Sequence, residues 1–177
     1  INDVLDFSKI DAGKLELDTS TFDLEEAIFD VMDMLSPLAA QKHIDMAFYY
    51  ADNVPKHVVG DALRFKQILT NLISNAIKFT PDGEIIVRAR MEQDDIGQCL
   101  LHFSVQDSGI GLSGTDRKKL FESFSQGDAS VTRQFGGTGL GLAISKQLVH
   151  LMQGQIGFED NQERAPTEKG STFWFTA

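Results

Sequence analysis

The segment from Asp61 to Phe79 constrains the fold of this chain more than any other. It predicts one long helix, because an aspartate that can cap a helix opens it and a Thr-Pro-Asp-Gly turn follows it at residues 80–83. At about 100° per residue its apolar side chains cover a broad arc, and a face that wide must be buried against a second layer. The arc consists of Phe65, Ile68, Leu69, Leu72, Ile73, Ala76 and Ile77.

Two neighbouring stretches predict the sheet that forms this second layer. Apolar residues alternate with polar or charged ones near 85–91, with Ile86 as the exception, and a short turn at 94–97 leads into a second strand from Cys99 to Asp107. Short connections between adjacent strands favour a mostly antiparallel sheet over a doubly wound parallel one. We therefore predict an α+β sandwich of two layers, with the helices on one face of the sheet.

The rest of the chain supplies further helices and strands. The chain already opens in a helical pattern, which predicts a fragment of a longer protein. The apolar stripe of this first helix would pack either on a partner helix outside the fragment or on the helix's own domain. Asp23 and Glu26 resemble a capping box. We predict a helix in the first half of residues 1–17, which weakens or ends at Gly13. Further helices are predicted near 22–43, 116–124 and 140–152, and strands near 44–51, 58–59, 155–159 and 171–176.

Composition excludes several classes of protein. The 177 residues carry a net charge of −10, which argues against a nucleic-acid binder with a broad basic face. The single cysteine, Cys99, excludes an internal disulfide framework and a multi-thiolate zinc site, and fits a reducing compartment. No apolar run approaches the roughly 20 residues of a membrane span. In a chain with this net charge, an anionic ligand would need a locally positive binding site.

The helix 61–79 carries a polar stripe beside its apolar arc. Asn71, Asn75 and Lys78 fall within about 60° of one another on the helix. Two amides and an ammonium suit a polyphosphate with bound magnesium, because an amide oxygen can ligate the metal and the cation can neutralise phosphate. The alternative is a solvated polar face with an amide that caps a loop.

Asp107 ends a strand whose inward face is otherwise apolar. A carboxylate in that position is costly unless a partner satisfies it. Gly109 and Gly111 follow at once and allow a ligand to approach the backbone closely. The pattern fits a carboxylate that accepts from the amino group of adenine. The alternative is an aspartate that closes the strand and caps a turn.

A second glycine cluster, at residues 136–141, opens the helix predicted for 140–152. Unpaired N–H groups and the positive end of the helix dipole at such a start can bind phosphate. The spacing matches neither a P-loop nor a dinucleotide fingerprint that directly follows a strand. A flexible loop is the alternative. Between the two glycine clusters, Phe121 and Phe124 predict core anchors for an aperiodic lid at 125–137, which contains Arg133.

Taken in this order, the motifs resemble the catalytic and ATP-binding domain of sensor histidine kinases, within the gyrase, Hsp90, histidine kinase and MutL superfamily. The segment 71–79 resembles the N box, 107–111 the G1 box, 121–124 the F box and 137–141 the G2 box. The segment 170–173 resembles the small glycine motif before the last strand. The likeness is strongest to hybrid kinases of the BarA, GacS and VarS type, and it implies a Bergerat-type fold.

The resemblance also implies roles for individual residues. Asn75 would bind magnesium, Asn71 and Lys78 would lie by the phosphates with Arg133 from the lid, and Asp107 would accept from the adenine amine. ATP and Mg²⁺ are the implied cofactors. The other implied nucleotide contacts are Phe79, Gly109, Gly111, Gly137, Thr138, Gly139, Leu140, Gly141 and Thr172.

Three departures from the family pattern refine the expected activity. None of the four histidines (His43, His57, His102 and His150) has a His-Glu phosphoacceptor context, so the accepting histidine is expected upstream of this fragment. Asn71 stands where water-dependent ATPases of the superfamily carry a glutamate, and an amide cannot act as a general base. The lid also has Gln126 where many simpler histidine kinases have arginine, which leaves open which group contacts the γ-phosphate.

The resemblance divides the chain into residues 1–20, the end of the second dimerisation helix and a linker, and residues 21–177, the catalytic domain. It implies a kinase that binds ATP and ADP and phosphorylates a histidine on the dimerisation domain of the same or a partner subunit. A receiver domain or response regulator would act downstream. The fragment would be cytoplasmic, without contact to nucleic acid or membrane, and its parent could be anchored in the inner membrane. A stand-alone ATPase and a degenerate nucleotide-binding or docking module are the alternatives.

Overall fold

The computed structural model describes residues 2–93, 99–111, 120–121, 139–161 and 170–177. Within them, a five-stranded sheet with strand order β2-β4-β5-β7-β6 is accompanied by helices and by a two-stranded ribbon of β1 and β3. The helices are α1 (Asn2–Asp11), α2 (Leu24–Ala40), α3 (Ala62–Phe79) and α4 (Gly141–Leu151). The strands are β1 (Ser20–Asp23), β2 (Ile44–Tyr50), β3 (His57–Gly60), β4 (Gly83–Gln93), β5 (Cys99–Asp107), β6 (Ile156–Asp160) and β7 (Ser171–Thr176).

The predicted α+β fold is confirmed. Strands β2 and β4 run parallel, and the pairs β4–β5, β5–β7 and β6–β7 are antiparallel. Because side chains alternate along a strand, the register aligns one apolar row across the inward face of all five strands. This row consists of Phe48, Val87, Val105, Phe173 and Phe158.

Helix α3 covers the centre of this inward face, as its apolar arc predicts. Asp61 is its N-cap, and one oxygen of the carboxylate accepts from the backbone N–H of Arg64 at 3.0 Å. In the first turn Phe65 lies edge-on to Phe103, with ring centroids 5.0 Å apart, and tilted against Phe175 at 5.9 Å. These contacts fix the helix across β5 and β7, so its far end reaches the edge where Asp107 lies.

The predictions near the start of the chain are corrected at both ends of helix α2, while the end of α1 lies close to the predicted break at Gly13. Helix α2 begins at Leu24, not at Phe22, because Phe22 belongs to β1, pairs with Val58 and packs against Phe65. Its N-cap is Asp23, whose carboxylate accepts from Glu26 as expected. The helix ends at Ala40 and not at His43, which adopts a left-handed conformation with φ of 57°. Helix α1 ends at Asp11, two residues before Gly13.

A polar cluster joins α1 to α3. The Asp6 carboxylate accepts from Arg64 at 2.9 Å and from Gln67 at 2.8 Å, while Arg64 also donates to Gln67 at 2.7 Å. Burial raises the pKa of Asp6, but the bonds from Gln67 and Arg64 and the attraction to the guanidinium outweigh burial and hold the pKa below its usual value. Phe7 and Ile10 add apolar contacts to the core. Helix α1 is thus packed on the rest of the described chain, which agrees with the second of the two alternatives for this helix.

Two predicted elements fall largely outside the described residues. Of the helix predicted near 116–124, the structure describes Leu120 and Phe121, which pack against the core. The turn predicted at 94–97 lies outside the described ranges. No helix in the described part of the chain is long and apolar enough to cross a membrane.

Candidate functional site

Asp107 lies where the sequence analysis expected it, on the inward face at the end of β5. It occupies the position after Val105 in the alternation and pairs with Ile85 of β4. The side chain is 5% exposed, and its Oδ1 accepts from the backbone N–H of Gly109 at 2.9 Å and of Ser171 at 3.3 Å. Among the described residues, no hydrogen bond involves its Oδ2. One carboxylate oxygen is therefore held by the main chain, and the other remains available as an acceptor.

Burial sets the ionisation of this carboxylate. Removal from water raises the pKa of Asp107 from 3.8 to about 6, against the opposing effect of the two backbone donors. Such a shift is typical of a carboxylate in a binding cleft. At neutral pH the group is therefore ionised and can accept hydrogen bonds, while below about pH 6 it is mostly protonated.

The end of α3 closes the space beside Asp107. The carbonyl of Phe79 accepts from Ile110 at 3.2 Å, and the fully buried hydroxyl of Thr80 has no hydrogen-bond partner within the described residues. A Cβ atom at Gly109 would lie 2.9 Å from both the Thr80 hydroxyl and Asp107 Oδ1. Only glycine fits there, because the backbone lies directly against these buried polar atoms.

The other part of the site lies two turns earlier on α3, where this helix meets α4. Asn71 donates its amide to the hydroxyl of Ser145 at 2.9 Å, and its Oδ1 lies 3.5 Å from the amide nitrogen of Asn75. A Cβ atom at Gly141 would overlap the amide oxygen of Asn71. The glycine at the start of α4 is therefore required for this contact, which brings the second glycine cluster against the polar stripe of α3.

Asn75 and Lys78 lie between these two parts of the site. The Asn75 amide nitrogen faces Asn71, so its amide oxygen is the atom left to act as a ligand, and a neutral oxygen is the ligand type that Mg²⁺ accepts in proteins. The Lys78 ammonium lies 4.9 Å from the centre of the Phe79 ring, and burial lowers the pKa of Lys78. In the described residues no cluster of three or more His, Cys, Asp or Glu side chains forms a metal centre.

The predicted site residues thus fall into three groups. Asn71, Asn75, Lys78, Phe79, Asp107, Gly109, Gly139, Leu140 and Gly141 lie along α3 or on the segments that touch it, and Gly111 approaches Gly170. Thr172 lies on the outward face of β7, where it pairs with Gln106, and its hydroxyl donates to Asn161. Arg133, Gly137 and Thr138 lie outside the described residues.

Several polar residues of the site escaped the sequence analysis. Thr80 is predicted only as part of a turn, and Ser171 lies in the segment 170–173 that resembles the small glycine motif but has no predicted role. Lys42, at the end of α2, donates to the carbonyls of Ile77 at 2.7 Å and Lys78 at 3.0 Å and so closes the last turn of α3. No spacing in the sequence indicates this contact, because the two residues are 35 and 36 positions from Lys42.

This arrangement belongs to a known class. Residues 60–177 match the family of histidine kinase-, DNA gyrase B- and HSP90-like ATPases, and the chain is a member of that family. The resemblance drawn from the sequence motifs is therefore confirmed.

Among its relatives are sensor kinases. The chain is 49% identical to the sensor histidine kinase GacS of Pseudomonas protegens over 176 residues, and 42% identical to the histidine-protein kinase BarA of Escherichia coli K12 over 175 residues. Each match covers 99% of this chain but only 19% and 18% of the relatives, so the chain spans about a fifth of their length.

Solved structures agree with this family. Full-length ShkA in complex with AMPPNP superposes with a TM-score of 0.82 at 35% identity, covering 99% of this chain and 34% of ShkA. A nucleotide-free form of the catalytic domain of the histidine kinase ThkA has a TM-score of 0.71 at 28% identity, covering 90% of this chain and 96% of that domain. The fold of this chain is that of histidine kinase catalytic domains.

Proposed function

We propose that this chain binds Mg²⁺-ATP and delivers the γ-phosphate to a histidine on a separate dimerisation domain. The observation that carries the proposal is the alignment of acceptor, amides and glycine backbone along α3. Asp107 lies beside Thr80, the C-cap of this helix, and Gly141 lies against Asn71. At 1.5 Å per residue, these two points are about 13 Å apart along the helix axis. The likeness to ShkA, solved with AMPPNP, supports the same class of ligand.

The adenine end of the proposed site would recognise an amino group. The available oxygen of Asp107 is a charged acceptor in a buried setting, where a hydrogen bond is stronger than in water. A purine with a carbonyl at the same position would place an acceptor against an acceptor. We therefore assign selectivity for adenine over guanine to Asp107.

The phosphate end would supply neutral and positive groups. Asn75 would give an amide oxygen to Mg²⁺, which usually keeps several waters, while Lys78 and the backbone around Gly139–Gly141 would face the phosphates. Magnesium supplies charge neutralisation on the transferred group when it is bound. The chain's own residues then contribute positioning, which dominates phosphoryl transfer.

The stand-alone ATPase is disfavoured by the contacts of Asn71. Its side chain is neutral and already donates to Ser145 and approaches Asn75, so it cannot activate a water molecule. Arg133, Gly137 and Thr138 remain proposed ligands by resemblance alone. The histidine-bearing domain of the same or a partner subunit, and a downstream receiver or response regulator, remain proposed partners.

We also propose the division at residue 20. Residues 1–20 would end the second dimerisation helix and link it to the catalytic domain of residues 21–177. The salt bridge between Asp6 and Arg64, with both side chains less than one-fifth exposed, would then join the helical and catalytic parts. A cytoplasmic location for the fragment, with the parent anchored in the inner membrane, belongs to the same proposal.

Titration with ATP, ADP and GTP, with and without Mg²⁺, tests the binding step. We expect micromolar binding of ATP and ADP, weaker binding of GTP, and tighter ATP binding with Mg²⁺. Addition of a histidine-bearing dimerisation domain should then yield acid-labile phosphate on that domain. Steady ATP turnover by the chain alone would favour the ATPase, and the absence of any ATP binding would favour a docking module.

A further inference from the structure

Asn161, directly after β6, is a buried amide that none of the sequence motifs includes. It is 4% exposed and lies between the ends of β5 and β7. Its side-chain nitrogen donates to the backbone carbonyl of Asp107 at 3.0 Å, and its backbone N–H donates to the carbonyl of Gly170 at 3.3 Å. Its side-chain oxygen accepts from the hydroxyl of Thr172 at 2.7 Å.

These bonds allow only one orientation of the amide. A backbone carbonyl can only accept, so the atom of Asn161 that faces Asp107 has to be the nitrogen. The oxygen then faces Thr172, whose hydroxyl has to donate. The backbone bond to Gly170 holds the residue from a third side. The amide is thus fixed in direction without reference to any ligand.

The main-chain bond to Asp107 falls where the β-ladder stops. The ladder between β5 and β7 ends at the pair of Gln106 and Thr172, one residue before Asp107. Gly170 has a φ of 99°, and a Cβ atom there would overlap the carbonyl of Asp107, so the chain turns away from the next rung. Asn161 supplies the donor that a continued ladder would have given to this carbonyl.

Asp107 is consequently held at two points. Asn161 fixes its main chain, and the N–H groups of Gly109 and Ser171 fix its Oδ1. With both fixed, its Oδ2 has one direction in which to meet a ligand. A hydrogen bond to a charged acceptor loses strength steeply with misalignment.

We propose that Asn161 is a positioning residue for adenine selection, which acts by holding the main chain of Asp107 so that Oδ2 meets the 6-amino group. This inference rests on the proposed binding of ATP. It predicts that the contribution of Asn161 to affinity depends on the amino group of the base, whereas a merely structural contribution would not.

The test compares two nucleotides on the folded chain by calorimetric titration at pH 8 with Mg²⁺. One is ATP, and the other is purine riboside triphosphate, which lacks the 6-amino group. The variant is Asn161→Leu, which has a similar volume and no donor. The matched control is Thr176→Val, which removes another buried bond of β7, from Gln155 N–H to the Thr176 hydroxyl at 2.9 Å.

We expect Asn161→Leu to weaken the binding of ATP by about tenfold and that of purine riboside triphosphate by less than about twofold, because only ATP loses one well-aligned charged hydrogen bond. Thr176→Val should leave both affinities unchanged. In the background of Asp107→Asn, the change at Asn161 should no longer distinguish the two nucleotides. Equal losses for both nucleotides, or no loss for either, would overturn the proposal.

Asn161→Ser provides the same comparison if the leucine variant does not fold, because its hydroxyl is too short to reach the Asp107 carbonyl. Thermal unfolding of each variant shows whether it is folded. The parent chain separates this inference from the proposed function. If the parent does not bind ATP, or binds both nucleotides equally, the proposed function or the role of Asp107 has failed, and not the role of Asn161 alone.

Discussion

The two ends of the proposed nucleotide site are built on opposite principles. At the Asp107 end, a carboxylate is buried among apolar strands, and its pKa is raised to about 6. At the Asn71 end, neutral amides satisfy one another and Ser145. Burial of an ion destabilises the fold, while paired amides cost little. Of these two ends, the Asp107 end is the one whose buried charge costs stability, and it is the end proposed to select the base.

The largest effect should come from Asp107→Asn. Asparagine keeps an oxygen for the N–H groups of Gly109 and Ser171 but places an NH₂ where the adenine amine would bind. We expect ATP affinity to fall by about 100-fold and the preference over GTP to shrink. The unliganded variant should be more stable than the parent at pH 8, by an amount on the order of 3 kcal/mol. Titration and chemical denaturation measure the two quantities.

A control on the other face of the same strand sharpens this result. Ser104→Ala alters a side chain that alternates with Val105 and points away from α3, so both quantities should stay close to those of the parent. If Asp107→Asn and the parent bind ATP with equal affinity, Asp107 does not bind the adenine amine. A large loss of stability in Asp107→Asn would contradict the cost ascribed to its charge.

The pH dependence tests the same end by a second route. The folded chain binds a proton at Asp107 with a pKa of about 6 and the unfolded chain near 3.8, so the free energy of unfolding should fall as pH rises between these values. ATP affinity should follow the opposite course and decrease about tenfold per pH unit well below 6. Titrations of parent and Asp107→Asn from pH 5 to 8 separate this effect from protonation of the phosphates. A parallel pH profile in the two proteins would reject the assignment.

At the other end the expected effect is smaller and concerns the metal. Asn75→Ala removes the amide oxygen proposed as a ligand of Mg²⁺. ATP affinity should therefore fall by about tenfold when Mg²⁺ is present and change little when it is absent. Ser74→Ala is the neighbouring control, since that hydroxyl donates only to the carbonyl of Asn71 in the described structure. If Asn75→Ala keeps the full response to Mg²⁺, the metal binds through other residues.

The sequence predicted the fold well where patterns are local. The broad arc of α3, the alternation of β5 up to Asp107 and the cap at Asp61 each depend on a few neighbouring residues, and all were confirmed. Strand β1 was missed because it has four residues, and only its pairing with β3 and the packing of Phe22 distinguish it from a helix start.

The site was predictable to the extent that its residues stand in motifs. Asp107 and the polar stripe of α3 stand out because polar groups interrupt or border apolar faces. Asn161 and Lys42 do not, because each acts through backbone carbonyls that are 54 or at least 35 residues away. A backbone carbonyl has no sequence signature, so such contacts become visible only when the strands and helices are assembled.

The smallest effect should come from Lys42→Met, because Lys42 contacts the last turn of α3 and lies outside the proposed site. Its ammonium donates to the carbonyls of Ile77 and Lys78 in the last turn of the helix, and a positive charge at this end interacts favourably with the helix dipole. We expect a loss of about 1–2 kcal/mol in the free energy of unfolding and a few-fold weaker binding of ATP.

Lys66→Met is the matched control for this variant. Lys66 forms a pair with Asp30 at 2.7 Å on the surface, where both side chains are more than one-third exposed, and such pairs contribute little. Chemical denaturation of both variants measures the difference. If the two lysines contribute equally, the last turn of α3 does not depend on Lys42, and the position of Phe79 and Thr80 beside Asp107 must be set by the bond between Ile110 and Phe79 alone.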